Sequence, residues 1–184
     1  MDKYYLNAEK TALLLIDIQE KMLPAIYQKE TLLKPTKTLI TTAEVFKLPV
    51  LVTEQYPQGL GATIPELKVR LDQVKANFWA KTSFSACLPE IMKQILNHKI
   101  DTILIAGIES HVCVFQTTRD LLRDNYNVHI VADAVGSRDP ENKKIALQLM
   151  AEMGAVITNS ETVAFDLLKD AKAEQFKVIS NALK

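Results

Sequence analysis

Short apolar runs separated by longer amphipathic ones constrain this chain more than any other feature. Residues 11–16 (TALLLI), 49–53 (PVLVT), 102–107 (TILIAG), 128–132 (VHIVA) and 155–158 (AVIT) are near-continuous and rich in branched side chains. A strand that is apolar throughout, rather than on alternate residues, has to be covered on both faces. Residues 77–81 (NFWAK) form a weaker candidate, aromatic but short. The segments between carry helical spacing. Leu32, Leu33, Leu39, Ile40, Val45 and Phe46 fall within residues 31–47, and Leu88, Ile91, Met92, Ile95 and Leu96 within 88–98. Residues 140–153 open with Asp139-Pro140, a capping residue followed by proline where its missing N–H costs nothing, and stop at Gly154. Thr63 to Glu66 has the spacing of a capping box ahead of another short helix. Such alternation predicts an α/β fold, a three-layer α/β/α arrangement with a mainly parallel sheet in the middle.

With 184 residues and no repeat, low-complexity stretch or linker composition, the chain is expected to form one domain over 1–184. Lys plus Arg and Asp plus Glu both number 22, which leaves no excess positive charge for a phosphate backbone. Nucleic acid is therefore not expected as a partner. The apolar run Ala12 to Ile16 is far too short to span a bilayer and stops at Asp17, so neither a membrane segment nor a signal peptide is expected. Cys87 and Cys113 make no CxxC and no disulfide framework, which predicts a reduced, cytoplasmic protein.

In a parallel sheet, ligands bind where loops leave the carboxyl ends of the strands, near the topological switch point. Asp17 ends the first strand; Glu54, Gln55 and Tyr56 follow the second; Lys81 ends the weak third; Glu109 to Cys113 follow the fourth. The five glycines give neither GxGxxG nor GxxxxGK[ST], which argues against dinucleotide and P-loop sites. A hydrolase nucleophile elbow would need small residues two before and two after Cys113, where His111 and Phe115 stand. His98 and His129 lack a partner one turn away and read as surface or helix-end histidines. His111, two residues before Cys113, reads as a pocket-lining group. Cys87 reads as structural. Cys113, where a strand gives way to a helix, has two readings. It is either a small hydrophobe filling a gap or a nucleophile whose thiolate is favoured by the helix N-terminus, Lys81 and Asp17.

Residues 13–19 (LLLIDIQ), 80–86 (AKTSFSA) and 107–122 (GIESHVCVFQTTRDLL), together with 52–61 (VTEQYPQGLG) and 131–147 (VADAVGSRDPENKKIAL), resemble the isochorismatase-like cysteine hydrolases. The match is to their metal-free isochorismatase-domain subgroup and extends from residue 11 to about residue 170. The resemblance implies a six-stranded sheet in the order 3-2-1-4-5-6 and a catalytic triad of Asp17, Lys81 and Cys113. It also implies an oxyanion hole from the backbone N–H groups of Glu109 and Cys113, with a cis Ile108–Glu109 peptide. Gln19, Glu54, Gln55, Tyr56, Trp79, Phe84 and His111 are the candidate substrate-binding residues. Nicotinamidases of this family bind a metal after the second strand through an aspartate and histidines. The segment here has no histidine, so no metal and no cofactor are expected. Family isochorismatases lack the cysteine, so Cys113 moves the expected activity to hydrolysis of a C–N bond, amide or ureido, in a small molecule through a thioester. The alternatives are a catalytically weak binding or scaffold protein of the same fold, or a thiol redox sensor. Family habit also implies a homo-oligomer, dimer or tetramer.

Overall fold

The computed structural model describes residues 2–184. Its centre is a six-stranded sheet in the order β3-β2-β1-β4-β5-β6, in which every pairing is parallel. The strands are β1 (Thr11–Ile16), β2 (Val50–Gln55), β3 (Asn77–Lys81), β4 (Thr102–Ile108), β5 (Asn127–Gly136) and β6 (Val156–Thr158). The helices are α1 (Lys29–Phe46), α2 (Pro57–Leu60), α3 (Pro65–Gln73), α4 (Pro89–Asn97), α5 (Phe115–Arg123), α6 (Pro140–Glu152), α7 (Ser160–Leu168) and α8 (Phe176–Leu183). The expected strand order is the observed one. Among the described residues, no helix is long and apolar enough to cross a membrane.

β1 shows why this sequence makes a layered fold. All six of its residues are buried, and successive side chains point to opposite faces. Leu13 and Leu15 join the layer of Leu32, Leu39 and Ile40 from α1, Leu67 and Leu71 from α3, and Val163 and Leu167 from α7. Leu14 and Ile16 join the opposite layer, with Ile91 and Ile95 from α4, Leu121 from α5, and Ala146 and Met150 from α6. Each fully buried leucine contributes roughly 1.5–3 kcal/mol by leaving water. An apolar strand and two amphipathic layers are thus one requirement seen from two sides.

Register then fixes the ends. Ile16 lies opposite Thr53 of β2 and Gly107 of β4, and Gln55 lies opposite Lys81 of β3. Gly107 is required at its position. Its φ is +125°, and a Cβ there would lie 2.1 Å from the Ile16 carbonyl oxygen. That contact lets β4 run close beside the point where Asp17 leaves β1.

Two local expectations are corrected. The Thr63–Glu66 capping box does not form: α3 is capped by Ile64, and Thr63 instead binds Glu54 Oε1 through its backbone N–H at 2.7 Å and its hydroxyl at 2.8 Å. His98 does sit at a helix end, as the C-cap of α4, but His129 is neither surface nor helix-end. It is buried within β5, where burial lowers its pKa and its Nε2 lies 2.7 Å from the carbonyl oxygen of Lys3.

Candidate active site

Asp17 follows β1 directly in a left-handed conformation, φ 55°, with its N–H donating to the Thr53 carbonyl at 3.1 Å. That turn leaves the carboxylate at the carboxyl edge of the sheet. Thr53 Oγ1 donates to Asp17 Oδ1 at 2.7 Å, and Lys81 Nζ, from the end of β3, donates to Oδ2 at 2.7 Å. The carboxylate and ammonium side chains are both 0% exposed. Lys81 has further partners in Gln55 Oε1 at 2.6 Å and the carbonyls of Ser83 and Phe84 at 3.2 and 3.1 Å. An isolated buried charge would be costly; this one is paired and surrounded by acceptors.

Cys113 completes the cluster, with Sγ 3.7 Å from Lys81 Nζ and the residue only 3% exposed. It lies in a π-helical turn, Ser110–Val114, which runs into α5. Single π turns of this kind occur often at functional sites. The thiol does not have the depressed pKa expected of it. Burial pushes it up to about 12, the Asp17 carboxylate adds to the rise, and Lys81 opposes it without prevailing. Burial and the neighbouring carboxylate thus favour the neutral thiol over a standing thiolate here.

The Ile108–Glu109 peptide is cis, as the family resemblance implied. Glu109 opens the helical turn, its carbonyl accepting from the N–H groups of Val112 and Val114 at 3.1 and 3.2 Å. Its nearly buried carboxylate is held by Arg138, whose backbone N–H reaches Oε2 at 2.9 Å and whose Nε reaches Oε1 at 3.0 Å. Glu109 and Arg138 line a concavity of about 260 Å³ with Lys21, Met22, Ala25, Ile26 and Leu60. These residues come from loops at the carboxyl ends of β1, β2, β4 and β5, the edge at which such sheets bind ligands.

The candidate substrate-binding residues divide. Gln19 is a correction: it is fully buried, its Nε2 donates to the carbonyls of Gln55 and Gly61 at 3.0 and 2.6 Å, and its Oε1 accepts from Gln55 N–H at 2.7 Å. Both amide protons are spent within the framework. Gln55 and Glu54 are partly buried, Gln55 between Lys81 and the Thr82 carbonyl and Glu54 on Thr63 through Oε1. Tyr56 and Phe84 are exposed, and Trp79 is partly buried against the layer that holds Cys113. His111 is partly exposed, with Nδ1 3.1 Å from Ser137 Oγ. The sequence pass missed Thr53 and Arg138. Both lie within stretches that carry the family resemblance, 52–61 and 131–147, but neither residue type by itself marks a role there.

An isochorismatase domain model matches residues 11–162 of the chain. This chain belongs to the isochorismatase family. Isochorismatase family protein 1A of Dictyostelium discoideum is 41% identical over 177 residues, covering 95% of this chain and 86% of the relative. The secreted isochorismatase effector Isc1 of Phytophthora sojae is 36% identical over 177 residues, covering 95% and 84%. Among solved structures, the MAR1 ribonuclease of Caenorhabditis elegans superposes with a TM-score of 0.90 at 35% identity, covering 97% of this chain and 92% of that one. Membership of the isochorismatase family makes the chain a hydrolase of α/β architecture. Among the described residues, no group of three or more His, Cys, Asp and Glu side chains is placed to hold a metal ion.

Proposed function

We propose that this isochorismatase-family chain hydrolyses a C–N bond, amide or ureido, in a small molecule through a thioester on Cys113. The observation that carries this is Lys81 Nζ, buried between Asp17 Oδ2 at 2.7 Å and Cys113 Sγ at 3.7 Å. Asp17 takes the thiol proton as sulfur attacks the carbonyl carbon, so the thiolate exists only along the reaction path. This step suits a sulfur whose resting pKa is about 12. Lys81 keeps acid and nucleophile in register and offsets the charge that passes between them. The oxyanion is received by the N–H groups of Glu109 and Cys113. Collapse to the thioester expels ammonia or an amine, which leaves with the proton from Asp17. Asp17 then activates water to release the acid and restore the thiol.

The concavity beside Glu109 holds the rest of the substrate, with His111, Trp79, Tyr56 and Phe84 around the approach. No metal or cofactor takes part in this scheme. We place the reaction in a reduced, cytoplasmic compartment and assign the chain to a homo-oligomer, dimer or tetramer. The ribonuclease description belongs to the structural neighbour. Equal numbers of basic and acidic residues, 22 each, favour a small substrate over RNA here.

The test is a panel of small amides, ureides and hydroxamates followed by ammonia or amine release, with a single-stranded RNA as comparison. Turnover of at least one amide or ureide, lost in Cys113→Ala, is expected. RNA cleavage alone would overturn the proposal. A panel with no turnover and saturable binding would favour a binding protein.

A further inference from the structure

The proposed oxyanion donor at residue 109 belongs to a glutamate, and this presents an electrostatic difficulty. A carboxylate carried by the donor residue itself opposes the negative charge that its N–H is meant to receive. Water does little to screen it, since the side chain is only 11% exposed. Arg138 answers the difficulty. Its Nε lies 3.0 Å from Oε1 and 3.1 Å from Oε2, and its backbone N–H lies 2.9 Å from Oε2. Both carboxylate oxygens are covered by this one cation.

We infer that Arg138 is a charge-compensating positioning residue, which neutralises the Glu109 carboxylate so that the Glu109 N–H can stabilise the oxyanion. The inference rests on the proposed cysteine-hydrolase reading of the site. It also gives Glu109 a second part. The carboxylate ties the loop after β5 to the start of the Cys113 turn, and Arg138 cancels its field. Arg138 is 65% exposed, so solvent already weakens the pair and the effect is graded rather than absolute.

The test separates a reaction that builds an oxyanion from one that does not. In acylation by 4-nitrophenyl acetate, the S–H proton passes to Asp17 and sulfur bonds to the carbonyl carbon. The carbonyl π electrons move onto oxygen and return as the C–O bond breaks to release 4-nitrophenolate. Alkylation by iodoacetamide displaces iodide from a saturated carbon and builds no oxyanion. Both rates are measured at Cys113 by site-resolved mass spectrometry. Arg138→Met is expected to slow acylation by about 3- to 10-fold and to leave alkylation within about twofold. Arg138→Lys should keep most of the rate, and adding Glu109→Gln to Arg138→Met should restore it. An unchanged acylation rate, an equal fall in both reactions, or no restoration by Glu109→Gln would overturn the inference and leave the hydrolase reading standing. No acetylation of Cys113 in the parent chain would overturn both.

Discussion

Cys113 and Cys87 pack into the same apolar layer, and burial raises both thiols, to about 12 and about 11 respectively. Neither is a standing thiolate, so resting acidity does not tell them apart. Their neighbours do. Cys87 lies 3.8 Å from the Thr117 carbonyl oxygen and its N–H donates to Ser85 Oγ at 3.3 Å; burial raises its pKa, Ser85 and the charge of Arg123 lower it, and Asp120 and Asp124 raise it further. Cys113 has Lys81 at 3.7 Å, with Asp17 bonded to that same ammonium. A reactive buried sulfur needs a place to send its proton and a charge to hold what remains. Only Cys113 has both in direct contact with its sulfur.

The largest effect expected from this contrast is on turnover. Cys113→Ala should cost at least ~10³-fold in amide or ester hydrolysis, the scale of losing a covalent nucleophile. Cys87→Ala should stay within about twofold of the parent chain. Comparable losses in steady-state rate would end the comparison.

Next in size is the ion pair. Asp17→Asn should lower the acylation rate by about 10²–10⁴-fold, the usual weight of a general base. Lys81→Met should do more than slow the reaction. It leaves the Asp17 charge, 0% exposed, with only neutral partners, the Thr53 hydroxyl and the Cys113 thiol, and stability should fall by about 3–5 kcal/mol in denaturant titration. A stable Lys81→Met variant with normal acylation would show that the ammonium is not what distinguishes Cys113.

The contrast also shows what could be read in the chain. Strand order was legible only through the family resemblance, whereas strand ends alone placed Asp17, Lys81 and the Cys113 turn at one edge of the sheet. The electrostatic outcome was not legible. A helix start and a lysine favour thiolate, but burial of Cys113 and the nearby Asp17 carboxylate outweigh them, and burial is set by α4, α5 and α6 from distant sequence. Gln19 illustrates the same limit. A polar residue just past a strand end looks like a ligand contact until its amide proves to be tied to the loops at Gln55 and Gly61. Thr63 matched a local capping pattern, but the long-range carboxylate of Glu54 won it.

The smallest expected effect is the most discriminating about mechanism, because it separates acidity from activation. Burial raises both thiols into the same range, so the thiolate fraction at rest does not rank them. Cys87 is the less buried of the two. Iodoacetamide, which needs a thiolate and gives Asp17 no carbonyl chemistry to assist, should therefore label Cys87 first. 4-Nitrophenyl acetate should acylate Cys113 first, since there the proton can pass to Asp17 during attack. Labelling of both should accelerate with pH towards about 11. The sign for stability follows from the same raised values. Each thiol contributes stability in full below its ordinary value of 9.0, and that contribution is lost as pH rises through 11 and 12. Alkaline unfolding should thus begin above pH 9 and be delayed in the Cys87→Ala variant, by less than one pH unit as read from the unfolding midpoint. If iodoacetamide instead finds Cys113 first at neutral pH, Lys81 holds a thiolate at rest. The contrast between the two cysteines would then be one of ground-state charge rather than of a proton's path.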